Sequence, residues 1–91
     1  MNEKIYVSHS DAGHGWLAVK RSELVRLGIL NKITCYSYQR GKTVYIEEDC
    51  DASTFFARKK ELGEEIKMRS SYQESSPIRS YESFYLTKEE Q

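Results

Sequence analysis

The chain has 91 residues, with 14 basic and 14 acidic side chains, 38% hydrophobic residues and seven tyrosines. That length allows one domain with one modest core, and the aromatic content at zero net charge excludes a natively unfolded chain. The same balance excludes recruitment to nucleic acid or an anionic membrane by a global field, so any such binding would need a local patch.

Residues 4–8 place Ile5 and Val7 on one side of a first predicted strand. The N-terminal stretch MNEKIYVSHS has no apolar run of leader length, and no segment approaches a membrane span, so the expected location is cytoplasmic. HSDAGHG, rich in turn-forming residues, predicts a loop. WLAVK at 16–20 predicts a second strand, with Leu17 and Val19 facing one way and Trp16 and Ala18 the other. Ser22 is the expected cap of a short helix with Glu23 in its first turn, Leu24 and Leu27 on one face, and Gly28 as its stop. NKITCYSYQ and KTVYIEE alternate as two strands of a hairpin turning at Arg40–Gly41 or over Gln39–Lys42. Asp51 or Ser53 is the expected cap of a longer helix, in which Ala52, Phe55, Phe56, Lys59 and Leu62 recur at helical spacing before Gly63. EIKMRS alternates Ile66 and Met68 against Lys67 and Arg69 as a last strand.

The predicted order is β-β-α-β-β-α-β. It points to an α+β two-layer sandwich with ferredoxin-like elements, an antiparallel or mixed sheet of about five strands covered by two helices. Residues 1–70 would form this domain. Residues 71–91 form a Ser/Tyr-rich tail, docked or disordered according to whether Ile78, Tyr81 and Phe84 find a groove.

The expected hairpin register opposes Tyr36 to Tyr45, Tyr38 to Thr43 and Cys35 to Ile46. Ile33, Cys35, Val44 and Ile46 then face the core, and Tyr36, Tyr38 and Tyr45 share the opposite face with Thr34, Thr43 and Glu47. Three clustered tyrosines suit a protein interface, a stacking platform for unpaired bases, or a surface sealed by the tail's own aromatics. The run EEDCD adds Glu47, Glu48 and Asp49 to that face. Those acids disfavour bases and leave three readings: helix capping, a divalent cation site, or negative charge offered to a basic partner. From Leu17 to Lys42, six bases stand against Glu23 alone, and a nucleic-acid alternative would combine the tyrosines with Lys32, Arg40 and Lys42. His9, Asp11 and His14 in one loop are a minor metal or catalytic alternative, because imidazole with carboxylate suits zinc or iron. Cys35 and Cys50, whose spacing matches no zinc motif, read as reduced, partly buried thiols. No cofactor is expected.

The segments GHGWLAVKRSELVRLGI, YSYQRG and VYIEEDCDASTF, with a shorter echo in SPIRSYESF, resemble those of a family of small bacterial proteins carried on chromosomes, plasmids and phages. The resemblance attaches no activity and no catalytic residue to the chain. It implies a compact mobile-element accessory protein of a kind that binds and modulates host machinery. The leading expectation is therefore a non-enzymatic module binding a protein partner through Tyr36, Tyr38, Tyr45, Glu47, Glu48 and Asp49.

Overall fold

The computed structural model describes residues 4–91; residues 1–3, the start of the N-terminal stretch read above for a leader, lie outside the described residues. Six strands form one mixed sheet: β1 (Ile5–Ser10), β2 (Gly15–Lys20), β3 (Tyr38–Arg40), β4 (Thr43–Glu47), β5 (Lys67–Tyr72) and β6 (Glu82–Ser83). Their spatial order is β5-β1-β2-β4-β3-β6, antiparallel throughout except for the parallel pair β1 and β5. Two helices, α1 (Arg21–Arg26) and α2 (Asp51–Glu61), contribute to one layer against this sheet. The fold is thus an α+β two-layer arrangement, and its shortest extent of 22 Å fits a sheet with one helical layer. Among the described residues no helix is long and apolar enough to cross a membrane.

Alternation along β2 and β4 builds the core. Leu17 and Val19 pair with Ile46 and Val44 across the two strands, and all four are buried. Leu24 and Leu27 of the α1 segment, and Ala52 and Phe55 of α2, close over them at helical spacing. Phe56 and Leu62, expected on the same stripe of α2, are exposed. Both helices end at the expected glycines, Gly28 and Gly63, with φ of 73° and 68°.

Ile5 and Val7 share one side of β1, as expected, but that side faces away from the helix-side core. Tyr6 enters the core at 2% exposure, whereas Ile5 is 59% exposed and shares the other face with Val7 and His9. Burying Tyr6 is feasible because its hydroxyl donates to Glu23 and accepts from Lys59 Nζ at 3.0 Å. Glu23 is itself buried, held by Lys4, Tyr6 and Lys59, and so ties α1 to α2. Ser22 does not cap α1; its N-cap is Lys20, without a side-chain bond.

The third strand is far shorter than the sequence pattern implies. Leu30–Lys32 forms a 3₁₀ turn, and Thr34–Ser37 folds into a tight turn closed by Ser37 N donating to Thr34 O. Asp51 is the cause: its Oδ2 accepts from Thr34 N at 3.0 Å, Thr34 Oγ1 at 2.8 Å and the Ser37 hydroxyl. A carboxylate collecting three donors outweighs strand propensity over so few residues. Cys35, expected in the core, is consequently exposed, as is Cys50. Asp51 and Ser53 do not cap α2. Glu47 does so from the preceding strand, accepting from the amides of Asp49, Cys50 and Asp51.

The hairpin turns at Gly41–Lys42, with Tyr38 opposite Tyr45 and Arg40 opposite Thr43. Gly41 has φ 59°, the left-handed conformation that a type II′ turn requires at its first central position. This moves the register by two residues relative to expectation, which changes partners but preserves faces.

Residues 73–81 carry the chain from one edge of the sheet to the other, across the face opposite the helices. Gln73 N bonds Ser10 O, Arg79 lies over Trp16, and Tyr81 packs on Tyr45 with ring centroids 5.2 Å apart. Trp16 and Ile78 are 4% and 2% exposed, yet neither belongs to the helix-side core. They mark a second, smaller apolar layer. β6 then pairs with β3, and Phe84 enters the main core, so the segment expected as a tail supplies the sixth strand.

A candidate binding cleft at one end of the sheet

The crossover covers the middle of the tyrosine face and leaves one end of it open. Where β2 and β3 begin and β4 finishes lies a cleft of about 410 Å³. Its lining comprises His14, Gly15 and Trp16, then Tyr36 and Tyr38, then Glu47 to Cys50, with Arg79 from the crossover.

Each part is placed by a bond already described. Register sets Trp16 beside Glu47. The turn held by Asp51 brings Tyr36 to the lip, where it is 74% exposed. Tyr38 meets Trp16 edge to face at 6.2 Å, and His14 lies 6.1 Å from the same indole. Glu48 folds against β2 because Gly15 leaves it room; a Cβ there would lie 2.6 Å from Glu48 Oε2.

The electrostatics divide the cleft. Arg79 is neutralised by Asp11, which accepts from its Nε and Nη2, and Asp11 also accepts from the amides of Gly13 and His14 at 3.0 and 2.9 Å. The Arg79 guanidinium holds the Asp11 carboxyl well below the usual carboxylate range, with the two amides adding to the effect. Burial acts to raise Glu47, but the amides at the start of α2 outweigh it and keep this carboxyl below its ordinary value. Glu48 and Asp49 form no ion pair with a base among the described residues. An aromatic wall therefore faces carboxylates without a counter-charge.

Of the candidate site residues singled out in the sequence, Tyr36, Tyr38, Glu47, Glu48 and Asp49 meet at this cleft, and His14 joins them from the metal alternative. Tyr45 does not. It is enclosed between His9, at 5.8 Å, and Tyr81, and burial raises its phenol above the ordinary value. Arg40 stacks on Tyr81 at 5.0 Å and donates to its hydroxyl at 3.2 Å. Lys32 and Lys42 are exposed in turns and, like Arg40, lie outside the cleft lining. His9, Asp11 and His14 take separate roles, against Tyr45, against Arg79 and beside Trp16, and no three ligating side chains among the described residues gather to hold a metal. Burial, followed by the Arg69 charge, lowers the His9 pKa.

Sequence reasoning missed Trp16 and Arg79. Trp16 carried a signal, since its place opposite Leu17 put an indole on the non-core face. Arg79 carried none that precedes knowledge of the crossover. No family model, no curated protein and no solved structure matches the chain.

Proposed function

We propose that this protein is a non-enzymatic interaction module that binds a protein partner at the cleft formed by Trp16, Tyr36, Tyr38, Glu47, Glu48 and Asp49. The observation supporting this most directly is Tyr36. A large aromatic ring held three-quarters exposed by a buried polar lattice beneath it is the kind of rigid anchor that concentrates binding energy in protein interfaces. A place among mobile-element accessory proteins, acting on host machinery, agrees with this reading and rests on sequence resemblance alone.

Retention of a partner by the full chain, immobilised in native-host lysate, tests the proposal. Tyr36→Ala is expected to abolish retention of a protein that the wild type holds, with the unfolding midpoint within about 0.5 kcal/mol of wild type, as befits an exposed side chain. Equal retention by the variant, or unfolding of the variant, contradicts it.

A further inference from the structure

We infer that the occupant of the cleft is a lysine- or arginine-bearing segment of the partner, its cation received between the tyrosine rings and the Glu48 and Asp49 carboxylates. This deepens the interaction-module reading and rests on it.

Three observations point to a cation. Glu48 and Asp49 line an aromatic cleft without a pairing base among the described residues. Tyr36 and Tyr38 line the same cleft, and aromatic rings beside carboxylates are the combination in which an ammonium or guanidinium gains both ring attraction and a counter-ion. The molecule already seats one cation in this way: the Arg79 guanidinium lies 5.7 Å from the Trp16 ring centroid and is paired with Asp11. Tyr36 and Tyr38 with Glu48 and Asp49 repeat the aromatic and the acid in the same cleft but lack the cation. Phosphate-bearing ligands meet three carboxylates here, which favours a protein segment over a nucleic acid.

Trp16, the chain's single tryptophan, is a reporter built into the cleft wall. The probes are short synthetic peptides alternating Gly and Ser with Lys or Arg, the same peptides with acetylated Lys or with Glu, spermidine, and a single-stranded oligonucleotide. The full chain is titrated with each by fluorescence and calorimetry. Saturable binding of the Lys or Arg peptide is expected, lost on acetylation and weakened by salt. Glu48→Gln with Asp49→Asn is expected to weaken it about tenfold, and Tyr36→Ala about fivefold. Glu61→Gln with Glu65→Gln, which removes the same charge at and just beyond the far end of α2, is expected to leave it unchanged.

Failure of the basic peptides, equal binding by the two charge-removal pairs, or equal or tighter binding of spermidine, the acidic peptide or the oligonucleotide would overturn the assignment. So would a concentration-dependent self-association that occupies the cleft and that the peptide does not displace. If the peptides fail while Tyr36→Ala still loses its retained partner, the cation assignment falls and the interaction reading stands. If both fail, both fall.

Discussion

Asp51 accepts from Thr34 N and Oγ1 and from the Ser37 hydroxyl, and these bonds fold the turn that carries Tyr36 to the cleft. The carboxylate is 1% exposed and Ser37 is fully buried, so removing the acceptor leaves the Ser37 hydroxyl donor without water or its partner. Asp51→Ala is therefore expected to cost about 2 to 4 kcal/mol, read from the urea midpoint, and to weaken peptide binding with it. A loss under about 0.5 kcal/mol would show that the turn holds itself. The acids of EEDCD thus divide their work: Glu47 satisfies the amides opening α2, Asp51 fixes the tyrosine turn, and Glu48 and Asp49 face the cleft.

At the scale of elements, α1 and α2 are joined through a buried ionic centre. Lys59 bonds Glu23 at 3.3 Å, Glu64 at 2.8 Å and the Tyr6 hydroxyl, while Arg26 reaches Glu64 with both terminal nitrogens. Arg26, then Lys59, pull the Glu64 carboxyl down to about 2 from an ordinary 4.5. Burial acts to raise Glu23, but the bonds from Lys4, Tyr6 and Lys59 leave it lowered. Groups lowered in the folded state contribute stability above their unfolded pKa and lose it as pH falls toward the folded one. The unfolding midpoint is accordingly expected to be level from pH 7 to about 5 and to fall between about 4.5 and 2, with a shallower fall in Lys59→Met. A midpoint flat down to about pH 2.5, or an unchanged slope in the variant, would contradict the assignment.

Strands and helices with strict alternation or helical spacing were legible in the sequence: β2, β4 and α2 lie where their apolar periods put them. The third strand was not, because the bonds that fold residues 34–37 come from Asp51, which is distant along the chain. The hairpin faces were legible although the register was not, since a two-residue shift preserves parity. That the tail's aromatics could seal the tyrosine face was legible as one alternative, and Tyr81 on Tyr45 bears it out for that residue, but the path of the crossover was not. It depends on β5 and β6 lying at opposite edges of the sheet, and strand order leaves no local periodicity.

Across the whole molecule, one face of the sheet carries the core, and the chain's own crossover covers Trp16 and Tyr45 on the other. At one open end of that face an aromatic wall meets unneutralised acids. Backbone amide shifts of the full chain, recorded with and without the lysine peptide, test this most directly. The account predicts perturbations confined to residues 14–16, 36–38 and 47–50, abolished by Glu48→Gln with Asp49→Asn. Perturbations centred on Arg40–Lys42 or along β5, or none at saturating peptide, would contradict it.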